Sequence, residues 1–183
     1  LSNIDGLLED YEILKDFHVN SYITTYHGIK IIYTNQEKES VDILTKIVDQ
    51  LPQNLLENVD TIKMIPFKNH SRIAGVTKNN TITLYLFSDY SEKTKQIILI
   101  HEIAHTWANK LISEGTSDYT FSEYQKVIEL DKNQVSRYAK RSTEKNGRPS
   151  EDFAESVAFY FINPAFSKLY PNRTRYIQEL LAM

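Results

Sequence analysis

Two histidines four residues apart, in the segment His101-Glu102-Ile103-Ala104-His105, constrain the fold of this chain more than any other feature. In a helix, four residues turn through about 400°, which brings both imidazoles to one face about one turn apart, where both can reach one metal ion. Glu102 lies about 100° around the helix from His101, where its carboxylate can approach a water on that metal and act as a general base. The alternative interpretation is a helix whose two histidines only hydrogen-bond to neighbours.

The residues around this segment predict a helix that has a core-facing side and a cleft-facing side. Ser91 can cap its start, and the helical pattern continues to about Leu111. Apolar side chains recur at spacings of three and four, at Ile100, Ile103, Trp107 and Leu111. This stripe predicts that one face packs in the core while the histidines face a cleft. Trp107 could also stack on a substrate, but its place on the stripe favours core packing.

A catalytic zinc ion needs a third protein ligand, because it takes three and leaves a position for water. The chain has no cysteine, and the pattern H-E-x-x-H-x-x-G-x-x-H fails because Ala108 and Leu111 stand where it requires Gly and His. The remaining histidines lie upstream without metal-ligand spacing and are interpreted as surface or turn residues: His18, His27 and His70. A downstream carboxylate is therefore the expected third ligand.

The best candidate for that carboxylate is the segment Glu151-Asp152-Phe153-Ala154-Glu155. It opens a predicted helix with Ser150 as N-cap, after a predicted loop that includes Arg141–Pro149. Glu151 and Glu155 share a helix face, so one can bind zinc while the other accepts the second N–H of a ligating histidine. We assign Glu151 to the metal and Glu155 to the histidine. The alternative is an acidic first turn that faces water and complements the helix dipole.

These two segments resemble the motifs of gluzincin metallopeptidases, the family that includes the anthrax lethal factor catalytic domain and the secreted Pro-Pro endopeptidases. The first matches H-E-x-x-H, and Glu151-Asp152-Phe153-Ala154-Glu155-Ser156 matches the family's E-[EDF]-F-A-E-[SA], whose first glutamate is a zinc ligand. The resemblance thus supports Glu151 over Glu155. It also implies that Tyr138 supplies a hydroxyl at the metal site, with an insertion between Tyr138 and Glu151. More weakly, it extends from the strand before the active helix to the C-terminus.

The resemblance implies a secreted, bacterial, toxin-like zinc endopeptidase, with one Zn²⁺ per chain and Glu102 as general base. Its expected partner is an extended protein or peptide substrate. In proteases of this build the strand beside the cleft commonly pairs with the substrate backbone, so we predict this role for the strand residues Thr81, Ile82, Thr83 and Leu84; the alternative is an ordinary sheet strand. The competing hypothesis is a catalytically inactive zinc-binding toxin-accessory or protein-binding module. The intact Glu102 argues against it, because a structural zinc site is closed by four ligands and needs no base.

Length and charge limit the other possibilities. With 183 residues, one domain is expected. The resemblance implies that it is an α+β domain of the zincin-like type, with a mixed sheet and the active helix in residues 1–112 and a mainly helical part in 113–183. A formal charge of -3 with interspersed signs excludes nucleic acid as an expected partner. Apolar runs such as Ile97–Ile100 are too short to span a membrane. The chain starts at Leu1, so any signal peptide is expected to have been removed, and a monomer is expected.

Local patterns predict the remaining elements. The predicted helices are Ile4–Phe17, Glu37–Gln50, Ser122–Leu130 with Ser122 in a capping box, and Thr174–Leu181. The predicted strands are Ile29–Tyr33 and Thr61–Ile65, which with the intervening helix form a β-α-β unit. A hairpin of Arg72–Val76 and Thr81–Phe87, with the turn Thr77–Asn80, is predicted to precede the active helix.

Overall fold

A computed structural model describes residues 20–69, 73–113, 121–146 and 149–183, together with Lys15 and Phe17. In these residues five strands form one sheet: β1 Tyr22–Tyr26, β2 Ile29–Tyr33, β3 Thr61–Ile65, β4 Gly75–Lys78 and β5 Thr81–Tyr85. The helices of the same residues are α1 Lys38–Val48, α2 Gln53–Leu56, α3 Glu92–Ser113, α4 Phe121–Asp131, α5 Arg137–Asn146, α6 Ser150–Ile162, α7 Phe166–Leu169 and α8 Pro171–Leu181. Short 3₁₀ helices lie at Asn35–Glu37 and Phe87–Asp89. The chain thus combines helices with a mixed sheet, as the α+β prediction states.

The sheet has the strand order β1-β2-β3-β5-β4. Strands β2, β3 and β5 are parallel, while β1 and β4 are antiparallel to their neighbours and form the two edges. The predicted β-α-β unit is confirmed, since β2 and β3 have the predicted bounds and are joined through α1. Strand β1 was not predicted. It joins β2 through His27 and Gly28, both at positive φ, a tight turn in which His27 also contacts Asp49 at 3.1 Å.

The hairpin before α3 differs from its prediction. The turn consists of Asn79 and Asn80 alone, and Asn79 has a φ of 54°, a left-handed conformation that asparagine tolerates better than most residues. Because the turn is two residues long, Thr77 belongs to β4 and pairs with Ile82. The predicted four-residue turn was therefore wrong. With the two-residue turn, Thr77 lies on the same face of the hairpin as the buried Ile82, and this face is directed toward α3.

Helix α3 has the capped start and the buried stripe that the sequence predicts. The hydroxyl of Ser91 accepts the backbone N–H of Thr94 at 3.3 Å. All four predicted apolar residues are buried: Ile100, Ile103, Trp107 and Leu111. The Trp107 ring lies 5.9 Å from that of Phe153 on α6, so core packing is confirmed for this tryptophan.

Several helix boundaries in the C-terminal part differ from their predictions. Helix α5 continues to Asn146, so most of the predicted loop Arg141–Pro149 is helical. Ser150 is the first residue of α6 rather than its N-cap, a position that Pro149 occupies. Helix α4 starts at Phe121, before the predicted cap at Ser122. Helix α8 starts three residues early because proline is favoured at the first position of a helix.

Helix α6 packs along α3, and this contact determines where the candidate site forms. Both helices carry small, fully or almost fully buried side chains: Ala104 and Ala108 on α3, and Ala154 and Ala158 on α6. Small side chains let two helix backbones approach closely, so polar side chains at the rim of this contact can meet. The predicted helix Ile4–Phe17 lies outside the described residues except at its end, where Phe17 is buried. Within the described ranges, no helix is long and apolar enough to cross a membrane.

Candidate metal centre

The structure brings together the three residues that the sequence predicts as metal ligands. His101 and His105 lie on α3, and Glu151 lies in the first turn of α6. The two Nε2 atoms are 3.0 Å apart, and Glu151 Oε2 is 3.0 Å from His101 Nε2 and 3.4 Å from His105 Nε2. One nitrogen or oxygen atom from each of the three residues lies within 4.8 Å of the others, so the group could hold a metal ion.

The hydrogen bonding of this cluster fits a metal site better than a closed polar cluster. Glu151 Oε2 is buried and has no hydrogen-bond partner among the described residues, although two ring nitrogens lie within 3.4 Å. A buried carboxylate oxygen without a partner is costly, and a cation would satisfy it together with both nitrogens. Two imidazole nitrogens and one carboxylate are a donor set that zinc takes in catalytic sites and that other transition metals also accept.

The charges around the cluster shift two pKa values in opposite directions. Burial acts to lower the pKa of His101, but contact with Glu151 and the charges of Glu102 and Glu155 outweigh it and raise that pKa. Burial acts to raise the pKa of Glu151, yet His101 and His105 bring it well below its ordinary value. Without metal, the cluster therefore favours an imidazolium beside a carboxylate, and a cation would compete with that proton.

The carboxylate of Glu102 is held by strand β4. Glu102 is only 6% exposed, and the Thr77 hydroxyl lies 2.6 Å from its Oε2 and 3.0 Å from its backbone oxygen. A Cβ atom added at Gly75 would lie 2.8 Å from both Cγ and Oε1 of Glu102, so only glycine fits without a shift. Sequence reasoning missed the role of both β4 residues. Gly75 was predicted to lie in a strand but without a role beside Glu102, and Thr77 was placed in the turn, which was predicted to begin two residues too early. A two-residue Asn-Asn turn is the signal that could have placed Thr77 in the strand.

Tyr138 reaches the cleft from α5, as predicted. Its ring lies 6.4 Å from the ring of His101, and its side chain borders the same cleft while remaining 57% exposed. Burial, followed by the charges of Glu151 and Glu102, raises the pKa of the hydroxyl above its ordinary value. The hydroxyl therefore keeps its proton at neutral pH and can donate a hydrogen bond.

Glu155 lies one turn beyond Glu151 but has a different partner from the predicted one. Its carboxylate accepts a short hydrogen bond from the Ser136 hydroxyl, in the segment just before α5, and not from a ligating histidine. Its charge still acts on His101. The predicted hydrogen bond between Glu155 and a ligating histidine was therefore wrong. Glu155 instead connects α6 to Ser136, just before the helix that carries Tyr138.

The predicted role of β5 in binding a peptide backbone is wrong. Residues Thr81–Leu84 pair with β3 on one side and with β4 on the other, so this part of β5 has no free edge. In the described sheet, the edge beside the metal ligands belongs to β4, which pairs only with β5. Strand order is a tertiary property that the alternation of residues along one strand does not encode.

A cleft of about 460 Å³ joins these groups. Its walls are β4 with the preceding Ile73, the His101–Asn109 part of α3, Tyr138, and the start of α6. A larger cavity of about 710 Å³ lies beside the first turn of α5, but its lining contains neither histidine nor carboxylate. Donor chemistry rather than volume therefore identifies the smaller cleft as the candidate site.

No model of a known protein family matches this chain, and no curated protein matches it. The residues of the cleft and their geometry are therefore the basis for assigning a function. The described residues of the cleft combine three possible metal ligands, a buried carboxylate and an exposed hydroxyl.

Proposed function

We propose that this chain is a zinc-dependent endopeptidase of the gluzincin type, with a zincin-like fold and one Zn²⁺ held by His101, His105 and Glu151. The observation that carries the proposal is the convergence of these ligands on a buried carboxylate oxygen that has no hydrogen-bond partner. Zinc would supply Lewis acidity, which lowers the pKa of a bound water toward 7 and polarises a carbonyl. The motif resemblance to gluzincins supports the same metal.

The protein's own residues carry the proton transfers in this proposal. Glu102 accepts a proton from the attacking water and returns it to the leaving amine, as a general acid-base residue does. The Thr77 hydroxyl donates a hydrogen bond to the carboxylate of Glu102, and the lack of a side chain at Gly75 leaves room for it. The Tyr138 hydroxyl, which stays protonated, donates a hydrogen bond to the oxyanion that develops on the scissile carbonyl.

The edge of β4, which pairs with no second strand in the described sheet, is the proposed binding site for the substrate backbone. An extended peptide can add to a sheet edge by main-chain hydrogen bonds, and Gly75, Val76 and Thr77 line the cleft along that edge. The substrate would then pass beside Glu102 and the metal ligands. Secretion, a bacterial toxin-like role and a monomeric state belong to the proposal through the gluzincin resemblance alone.

An inactive zinc-binding module is the second candidate function. A structural zinc site has four protein ligands, whereas the candidate cluster of the described residues has three. Such a module also has no use for a buried carboxylate held at position 102 by a hydroxyl. Both observations favour the enzyme.

The test is cleavage of a peptide library by zinc-loaded wild type and by Glu102→Gln, with zinc content measured in both. Cleavage by wild type alone, with equal zinc in the two proteins, is the expected result. Zinc in both proteins without cleavage by either would favour the binding module. Cleavage by Glu102→Gln at the wild-type rate would contradict the role of Glu102.

A further inference from the structure

Helix α6 carries two adjacent carboxylates that point into different surroundings. Glu151 faces the histidines of α3, while Asp152 is completely buried. Asp152 Oδ1 accepts hydrogen bonds from the Tyr124 hydroxyl at 2.7 Å and from Arg173 Nε at 2.8 Å. Arg173 Nη2 donates to Asp152 Oδ2 at 2.9 Å. The Nε and Nη2 hydrogen bonds are parallel, so the guanidinium binds this carboxylate in a bidentate way.

The same guanidinium also reaches α4. Arg173 Nη1 donates to Asp131 Oδ2 at 3.3 Å, and the backbone N–H groups of Asn172 and Arg173 donate to the Asp131 carboxylate at 3.0 Å each. Asp131 ends α4, Asp152 lies in the first turn of α6, and Arg173 lies in the first turn of α8. One fully buried arginine therefore ties three helices together beside the third candidate ligand.

Because Asp152 is next to Glu151 on α6, this contact also affects the position of the Glu151 carboxylate. Side-chain ends lie about 5–6 Å from a helix axis, so a rotation of α6 by about 20° would move the Glu151 carboxylate by about 2 Å. Metal-ligand distances tolerate deviations of only about 0.2 Å. Apolar packing of Phe153 and Val157 holds the helix against the core, but a two-bond arginine-carboxylate contact fixes its rotation more specifically.

We infer that Arg173, through its paired hydrogen bonds to Asp152, is a positioning residue that sets the orientation of Glu151 as third metal ligand. This inference rests on the proposed metal site. Replacing a buried ion pair by apolar residues is often neutral or stabilising, so stability alone gives a weak reason for such a pair. A role in orienting Glu151 is a more direct reason for the pair. The two bonds from Arg173 fix the direction of the Asp152 side chain, which is next to Glu151 on the helix.

The test measures the Zn²⁺ dissociation constant, by competition with a chelator, and the melting temperature of the metal-free protein. The variants are Arg173→Lys, which keeps the charge but loses the paired bonds, and Asp152→Asn. We expect both to weaken zinc binding by about 10–100-fold, the usual effect of losing a group that orients a ligand. Tyr124→Phe, which removes one donor to Asp152 and keeps the ring, should weaken it less and serves if the other variants do not fold.

The matched control is Glu37→Gln. Glu37 is an equally buried carboxylate that accepts hydrogen bonds from Ser88, with Lys95 nearby, and it lies in a 3₁₀ helix outside α6. This variant should lower the melting temperature but leave zinc affinity unchanged.

Three outcomes would overturn the inference. Wild-type zinc affinity in Arg173→Lys, Asp152→Asn and Tyr124→Phe would make the network purely structural. Equal weakening by Glu37→Gln would assign the effect to stability. Absence of zinc binding by wild type would overturn the metal site itself and this inference with it, a result distinct from the first two.

Discussion

Glu151 and Asp152 are adjacent on α6, yet their carboxylates differ in burial and in hydrogen bonding. Asp152 is fully buried, and both of its oxygens accept hydrogen bonds within a closed network that includes Arg173 and Tyr124. The side chain of Glu151 is 22% exposed, and its Oε2 has no hydrogen-bond partner among the described residues. The protein satisfies one carboxylate completely and leaves its neighbour facing a cleft with two histidines.

The balance of charge differs in the same way. In the closed network one arginine lies between Asp131 and Asp152. In the cleft, the charges of Glu102, Glu151 and Glu155 all act on His101, and the only positive charge that the candidate ligands can supply is a protonated imidazole. The comparison teaches that α6 uses one residue to anchor the helix and leaves the preceding residue where it could hold a cation.

The largest expected effect comes from replacing Glu102, the proposed general base. Glu102→Gln should lower kcat by about 10²–10⁴-fold, the usual contribution of acid-base catalysis, while zinc content stays unchanged. Steady-state kinetics on a peptide selected from the library, with metal analysis of the same samples, measures both quantities. Loss of zinc together with activity would show that Glu102 maintains the site rather than acting as a base.

The two neighbouring carboxylates can be compared directly by alanine substitution. Asp152→Ala leaves the buried Arg173 without its two bonds to Asp152, with only the 3.3 Å ion pair to Asp131 remaining, and should lower the free energy of unfolding by about 3–5 kcal/mol. Glu151→Ala should cost less, because the two imidazoles that it leaves behind can lose a proton, whereas the buried guanidinium of Arg173 cannot. Urea denaturation of the metal-free proteins measures both, and similar losses would contradict the distinction between anchor and ligand.

A smaller effect on kcat is expected from removing the contact between Thr77 on strand β4 and Glu102. A hydrogen bond to a charged group contributes about 1.5–3 kcal/mol, so Thr77→Val should lower kcat by about 10–100-fold if Glu102 needs this donor. Thr77→Ser keeps the hydroxyl and should retain most activity. Equal KM and zinc content in both variants is expected, and a Thr77→Val enzyme as active as wild type would remove Thr77 from the catalytic account.

The smallest effect is the dependence of metal-free stability on pH. The pKa of His101 is raised above 6.5, so its contribution to stability is fully present below pH 6.5 and is lost as pH rises through the raised value. The pKa of Glu151 is lowered, so its contribution is lost only when pH falls through that low value. Metal-free protein should thus become less stable above pH 6.5, whereas stabilisation by added zinc should grow, because zinc binds neutral imidazole. Thermal melts across this range, with and without zinc, test both signs.

The sequence predicted α3 and the start of α6 well because their signals are local. The histidine spacing, the apolar stripe and the carboxylates of the second motif repeat with the period of a helix. Packing of α3 against α6 then brings His101, His105 and Glu151 together, and this cluster was predicted residue by residue.

The parts that could not be predicted depend on tertiary structure. Whether the hairpin turn has two residues or four decides whether Thr77 lies in the strand beside Glu102, and the residues Thr77–Asn80 suit either length. The contact of Gly75 with Glu102 depends on the packing of β4 against α3. Strand order, which makes β5 an interior strand, leaves no local trace. The contact between Arg173 and Asp152 joins side chains 21 positions apart, and nothing in either segment indicates it.

The most direct measurement is the zinc content of wild type, Glu151→Ala and Glu155→Ala by plasma mass spectrometry. Glu155→Ala is the matched control, since it removes a carboxylate one turn further along α6. We predict one zinc ion per chain in wild type and in Glu155→Ala, and none in Glu151→Ala. Wild type without zinc, or Glu151→Ala with as much zinc as wild type, would contradict the metal site on which the proposed activity depends.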